Sequence, residues 1–357
     1  MSDADPRGVP GPGEPAARPG QVVPATAEGL AAAAALLRAG EVVAFPTETV
    51  YGLGADATRA SAIERIYALK GRPRHNPLIV HVADAETAAA LAGTFSDTAR
   101  ELAARFWPGP LTLVVPRGPR IPSVVSAGLD TVALRVPAHP VALQLLRTVG
   151  LPLAAPSANR SESLSPTTAA HVLRSLPAVP LVVDGGPCWL GIESTVVDLV
   201  ASPPRLLRPG ALPLRSLLAV LPQLALPAPE RSLGPDPTEA EAAPSGLPSP
   251  GMMARHYAPR AALTLLDDTA SEAQLVAQVG ALPAPRGLLT YRPLPALAPL
   301  CAQVELLPAE PSALAADLYA ALHRLDDAGV ASIAALRPPA GLDFLAISDR
   351  LRRAAHR

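Results

Sequence analysis

Apolar positions along this chain follow two alternating patterns. In some stretches they recur every three or four residues, the spacing of one helix face; in others they bunch into short runs typical of buried strands. The helical spacing predicts helices over 26–37, 59–69, 96–106, 141–149 and 167–176. Thr26 and Ser96 stand where a hydroxyl can cap the first free amides, and Gly40 follows the first helix as a stop. The apolar runs predict strands over 41–45, 78–82, 111–115, 132–136, 151–155, 179–183, 194–199 and 205–207. The order is mixed, without strict strand–helix–strand alternation, so one large mixed α/β domain over 24–212 fits best.

Periodicity is lost over 221–250, which is dense in Pro, Ala, Glu and Ser and reads as a linker. Its last residues change character, with Met252, Met253, Arg255, His256 and Tyr257 close together. Beyond it, strands over 262–266, 287–291, 303–306 and 332–336 alternate with helices over 271–279, 312–327 and 342–355. That alternation predicts a small domain with a parallel, Rossmann-like sheet. The chain thus divides into a tail (1–23) expected to be disordered, a large domain (24–212), a linker ending in a lid segment (213–260) and a small domain (261–357).

Composition narrows the function classes. Hydrophobic residues make up 49%, ample for a core, yet no long apolar run escapes a charge or a Pro/Gly break. No transmembrane helix is expected, and Met1 to Gly20 lacks a signal-peptide apolar region. Cys188 and Cys301 are the only cysteines, too few for a disulfide framework or a structural zinc site by themselves. A cytoplasmic protein is the default. Net charge is −1, which argues against a protein that wraps nucleic acid with a basic face. Strong direct nucleic-acid binding is not expected.

Charge is distributed unevenly all the same. Lys70 is the only lysine, and Arg72, Arg74 and His75 follow it. A lysine where every other cation is arginine suits a site too tight for a guanidinium, and the cluster suits an anion with several oxygens. A solvated turn after a helix, where cations suit the dipole, explains the cluster equally well. Thr47, Glu48 and Thr49 follow a strand that ends at Pro46, where α/β proteins place ligands. Gly52 and Gly54 lack the third glycine of a dinucleotide fingerprint, and no P-loop pattern includes Lys70. Arg135 lies within an apolar strand, so it either meets a carboxylate or reaches solvent from an edge. The loop after 151–155 is rich in Ser, Thr and Asn, able to donate to phosphate oxygens or to cap the next helix. Asp184 and Glu193 are candidate carboxylates beside magnesium or ordinary strand-end residues. His81 reads as a core histidine; His171 and His323 read as helix-surface residues.

Taken together these segments resemble the Sua5/YrdC family of threonylcarbamoyl-AMP synthases. The resemblance rests on 45–54 (FPTETVYGLG), Lys70 to Pro73 with Asn76 to Leu78, 107–112 (WPGPLT), 133–137 (ALRVP), 155–159 (APSAN), 193–198 (ESTVVD) and 207–210 (LRPG). It covers 24–212; Arg255 to Pro259 and Asp349 to Leu351 extend it to the long Sua5 form. It implies a YrdC-like twisted open mixed sheet flanked by helices around a large cavity, with a Rossmann-like C-terminal domain.

The implied reaction takes L-threonine, bicarbonate and ATP to threonylcarbamoyl-AMP and pyrophosphate, for the t6A modification at tRNA position 37. Downstream tRNA threonylcarbamoyltransferase proteins are the implied partners. The resemblance assigns Thr49, His81, Arg135, Ala155 and Ser194 to threonine. It assigns Arg72, Asn76, Thr131, Ser157, Ser165, Arg208 and Tyr257 to ATP, with Lys70 and Arg72 as catalytic cations and Mg2+ accompanying the nucleotide. Metal ligands are not identified. Ala254 stands where the family commonly has a lysine, which leaves the lid without one cation. A carbamoyl-transfer enzyme of the hydrogenase-maturation type and a non-catalytic RNA-binding protein are the alternatives. Too few cysteines weigh against the first and near-neutral charge against the second.

Overall fold

The computed structural model describes residues 20–227, 247, 253 and 255–356. The expected tail falls outside them except for its end, and so does most of the linker.

The large domain carries β1 (Gln21–Pro24), β2 (Val43–Phe45), β3 (Gly52–Asp56), β4 (Ile79–His81) and β5 (Leu111–Pro116). It continues with β6 (Thr131–Arg135), β7 (Leu153–Ala154), β8 (Leu181–Asp184), β9 (Thr195–Asp198) and β10 (Arg205–Arg208). Among the described residues these form one ten-stranded mixed sheet in the order β1-β8-β2-β3-β7-β4-β6-β5-β9-β10. Successive strand residues face opposite sides, and β2 shows the result. Val43 and Phe45 pack with helices α1 (Ala27–Arg38) and α5 (Pro140–Val149), whereas Ala44 joins the cluster on the other face. That second face is covered by α2 (Ala60–Lys70), α3 (Ala85–Leu91), α4 (Asp97–Phe106), α6 (Ala169–Ser175) and α7 (Leu214–Val220). Ile63, Ile66, Leu102, Val172 and Leu217 are fully buried there; each contributes about 1.5–3 kcal/mol of transfer free energy.

Three expectations need correction. Gln21–Pro24 is a strand rather than the end of a disordered tail, because its backbone completes a parallel ladder with Leu181–Asp184. Gly52–Asp56 is a strand that the apolar runs do not predict; Gly54 lies so close to the Phe45 ring that a Cβ would stand 2.6 Å from Cε1. Leu214–Val220, inside the span assigned to the linker, is a helix that buries Leu214 and Leu217.

The small domain contains β11 (Ala262–Leu266), β12 (Arg286–Thr290), β13 (Gln303–Leu306) and β14 (Ser332–Leu336). All three pairings are parallel, in the order β11-β14-β12-β13. Helices α8 (Glu272–Gly280), α9 (Pro311–Asp327) and α10 (Leu345–Ala355) connect or follow them. Ser271 caps α8 with a full capping box closed by Gln274, a local reason for that helix to start there. Helix α9 faces the large domain: a Cβ on Gly191 would fall 2.2 Å from the Ala316 carbonyl oxygen. Among the described residues no helix is long and apolar enough to cross a membrane.

Candidate active site

The site forms where strand ends converge. Strands β4 and β6 are parallel, with His81 opposite Arg135 at their C-terminal ends. Ala155 follows β7, and Ser157 bridges to Gly52 at the start of β3. These ends, together with Thr49, Ser194, Arg72 and Arg208, line one cavity. All five residues expected for threonine are therefore together, with Arg72, Ser157, Arg208 and Tyr257 of the nucleotide set.

Arg135 is buried by its apolar strand and satisfied by three elements. Its Nη2 donates to Glu48 Oε1 at 2.5 Å, Nη1 to Thr49 Oγ1 at 3.1 Å and Nε to the Gly109 carbonyl at 3.2 Å. Guanidinium has five N–H donors. Three are used among the described residues, so Nη1 and Nη2 each retain one further N–H. Thr47 Oγ1 fixes the turn by accepting from the Val50 amide and bonding Thr49 Oγ1 at 2.8 Å. His81 is held neutral: burial, then the Arg135 charge, lowers its pKa to about 3. Ser194 Oγ sits 2.8 Å from Thr112 Oγ1 and accepts from Arg208 Nη2 at 3.0 Å.

Arg72 and Lys70 donate to neutral oxygens. Arg72 donates to Asn76 Oδ1 at 2.6 Å and to the Asn76 and Pro77 carbonyls at 3.1 and 2.8 Å. Asn76 thus supports Arg72 rather than lining the cavity. Lys70 Nζ donates to the Ser157 carbonyl at 2.6 Å and to that of Asn159. It ties the end of α2 to the serine-rich loop, behind the cavity wall. Burial, then the nearby Arg72 charge, pushes the Lys70 pKa well below its ordinary value. Thr131 lies at the opposite end of β6 from Arg135 and lines a separate crevice.

The carboxylates do not fit a protein-held magnesium. Glu193 is buried and already accepts from Ser165, Tyr319 and Arg350. Burial alone would raise its pKa, but Arg350 and Arg208 with the Ser165 hydrogen bond hold it below the usual value. Asp184 accepts from the Gly186 amide and the Tyr51 hydroxyl, as a turn residue does. No group of three or more metal-ligating side chains occurs among the described residues.

The linker end fills the cavity. His256 and Tyr257 are buried between the cations, and the remaining cavity is about 50 Å³, room for one or two waters. The cavity expected to be large is occupied by this lid. Burial, then Arg72, Lys70, Arg350 and Arg208, drives the His256 pKa far down. Tyr257 adopts φ +60, a left-handed conformation uncommon for a bulky residue, and its buried hydroxyl has no hydrogen-bond partner among the described residues. Met253 lies against Asn76, at 3.2 Å from Nδ2.

Two residues were missed by sequence reasoning, Tyr319 and Arg350, both from the small domain. The available signal was Arg350 on the apolar stripe of α10 formed by Ile347, Leu351 and Ala354. His171 and His323 are also corrected: the rings stack at 3.8 Å, and His323 is buried at the domain interface, 3.1 Å from the Ser165 carbonyl.

Comparisons with known proteins agree with this geometry. A family model covering Sua5, YciO and YrdC, described as "Telomere recombination", matches residues 35–210. A second, described as "Threonylcarbamoyl-AMP synthase, C-terminal domain", matches 214–356. The threonylcarbamoyl-AMP synthase of Pyrococcus abyssi is 46% identical over 66% of this chain and 67% of its own length. That of Bacillus subtilis is 47% identical over 70% of each. Among solved structures, P. abyssi Sua5 complexed with L-threonine superposes with a TM-score of 0.82 at 39% identity, covering 91% of this chain and 94% of that one.

Proposed function

Since the chain belongs to the Sua5/YrdC family, we propose that it is a threonylcarbamoyl-AMP synthase and acts as a nucleotidyltransferase. L-threonine, bicarbonate and ATP yield threonylcarbamoyl-AMP and pyrophosphate. The product serves tRNA t6A37 synthesis through a separate threonylcarbamoyl-transferring protein. The observation that carries this reading is the juxtaposition of two kinds of cation in one cavity. Arg135 lines that cavity with one N–H left on each of Nη1 and Nη2, and Arg72 lines it while donating to neutral oxygens that leave its charge for phosphates.

The threonine amine and bicarbonate combine with loss of water to give a carbamate. A carbamate oxygen attacks the α-phosphorus, forming the P–O bond as the bond to pyrophosphate breaks. Arg135 and Thr49 orient the amino acid; Arg72 and Arg208, with Lys70 behind them, stabilise charge on the phosphates. Magnesium arrives as part of the ATP substrate, and no step is assigned to a protein-held metal. His256 and Tyr257 withdraw to admit nucleotide, then close to keep water from the carbamate and adenylate.

The test incubates the protein with ATP, magnesium, bicarbonate and L-threonine, following threonylcarbamoyl-AMP by mass spectrometry alongside pyrophosphate. Product that disappears without threonine or bicarbonate is expected. ATP turnover independent of threonine would refute the reading.

A further inference from the structure

Arg350 belongs to the small domain, yet its guanidinium is buried against the wall of the active site, 1% exposed. It touches three separate segments of that site. Nε donates to Glu193 Oε2 at 2.7 Å, in the segment that leads into Ser194 and β9. Nη2 donates to the Pro209 carbonyl at 3.0 Å, one residue beyond Arg208. The guanidinium carbon lies 4.8 Å from the centre of the Tyr257 ring, over the lid, a cation–π contact. Asp349 takes Nη1 at 2.7 Å and fixes the side chain's aim.

Glu193 makes the arrangement directional. Its carboxylate accepts from Ser165 Oγ at 2.6 Å on the large domain, and from the Tyr319 hydroxyl at 3.0 Å and Arg350 on the small one. Without the small domain this buried carboxylate would lose its ion-pair partner Arg350 and two of its three side-chain donors, leaving the Arg208 charge and Ser165. A buried charge stripped of its partner is strongly unfavourable, so the segments it anchors would rearrange. Those segments carry Ser165 and Arg208 of the nucleotide set, and Ser194, which the threonine set shares with them through its bond to Arg208. The Thr47–Thr49 turn, His81 and Arg135 make none of the hydrogen bonds or ion pairs of Arg350.

We propose that Arg350 is a positioning residue for the nucleotide half of the site, joining the Glu193, Pro209 and Tyr257 segments through one side chain so that ATP binding depends on the docked small domain. The inference rests on the ATP-dependent reading above. A lysine cannot replace it, because a point charge cannot donate along the fork's three directions. A purely structural ion pair, by contrast, would be served by lysine or removed in balance with little functional effect.

The experiment compares the full-length protein with R350K and the double variant E193Q/R350M. Thermal unfolding is recorded first. Titration calorimetry then measures a non-hydrolysable ATP analogue with magnesium and, separately, L-threonine. Both variants are expected to fold. The analogue Kd should rise about tenfold, a loss within the range of coupled neighbours, while the threonine Kd, which depends on the Glu193 segment through Ser194 alone, should rise less than about threefold. Wild-type affinity for the analogue in either variant would overturn the proposal. So would equal losses for both ligands, or a double variant that does not fold, since each makes Arg350 a strut of the interface. A wild-type protein that forms no product and binds no analogue would instead remove the ATP-dependent reading itself.

Discussion

Replacing Arg135 by methionine separates its part in folding from its part in binding. Glu48 is fully buried beside it, and Oε2 of that carboxylate has no hydrogen-bond partner among the described residues. R135M therefore leaves a buried carboxylate with neither cation nor donor, at a cost of about 3–5 kcal/mol. The Gly109 carbonyl and the Thr49 hydroxyl lose donors as well, about 1 kcal/mol each. For a domain of this size each kcal/mol lowers Tm by roughly 2–4 °C, so R135M should melt roughly 10–25 °C below wild type. In E48M/R135M the orphaned charge is gone. Most of the 3–5 kcal/mol should return, leaving a deficit of about 2 kcal/mol. Threonine binding should not return, because no fork remains for its carboxylate; its Kd should stay at least about thirtyfold raised in both. Scanning fluorimetry and calorimetry with L-threonine decide the matter. A double variant no more stable than R135M would refute the electrostatic account. Recovery of threonine affinity in the double variant would refute the assignment of Arg135.

The remaining expectations concern pH, a close backbone contact and Lys70. His81 has a folded-state pKa lowered to about 3 by burial and Arg135. Below about pH 6.5 the unfolded chain therefore takes up a proton that the folded chain refuses. Stability should fall by about 1.4 kcal/mol per pH unit, or about 2 kcal/mol by pH 5. His256 acts in the same direction; urea midpoints between pH 8 and 5 should show the combined slope, and H81Q should reduce it by the His81 share of about 1.4 kcal/mol per pH unit. Gly210 lies where a Cβ would stand 2.3–2.4 Å from backbone atoms of Glu193, Ser194 and Thr195. G210A should lose about 1–3 kcal/mol or more by forcing those segments apart, and an unchanged Tm would refute the contact. K70M should lose stability by about 1.5–3 kcal/mol, as the Ser157 and Asn159 carbonyls lose an ionised donor. K70R should not rescue it, because a longer, planar guanidinium cannot set one nitrogen against both carbonyls as Nζ does; steady-state kcat/KM for ATP should fall in both.

Much of the site was legible because strand-end chemistry is local. Arg135 in an apolar strand and Thr47 to Thr49 after Pro46 were conspicuous without any knowledge of packing. Strand β3 was not, since Gly52 and Gly54 read as turn residues; only the Phe45 ring, brought there by β2, explains why glycine is needed in a strand. Helix α7 is short and flanked by Pro213, so its two buried leucines looked like part of the linker. Helix α3 buries only Ala88 and Leu91, too few apolar positions for a helical period to declare itself. His323 and Arg350 were misjudged or missed for a common reason. Each stands on a helix whose polar-looking side chain is buried by the other domain, and that information lies nowhere near it in the sequence.

The same logic explains how a chain of net charge −1 offers a site to two anions. The positive charge is not spread over a face but placed inside. Arg72 and Lys70 are buried against carbonyl and amide oxygens, which satisfy their hydrogens without cancelling their charge. Burial lowers the pKa of each, Arg72 to about 10, so the ligand-free site is electrostatically costly. An incoming polyphosphate relieves that cost, whereas a neutral molecule of the same size leaves it in place. Binding is thereby selective for anions before any individual contact is made. The carboxylates divide accordingly. Glu48 and Glu193 pair with Arg135 and Arg350, whereas Lys70 and Arg72 donate to carbonyl and amide oxygens. Among the described residues, Lys70 and Arg72 thus present to an arriving polyphosphate a positive charge that no carboxylate hydrogen-bonds.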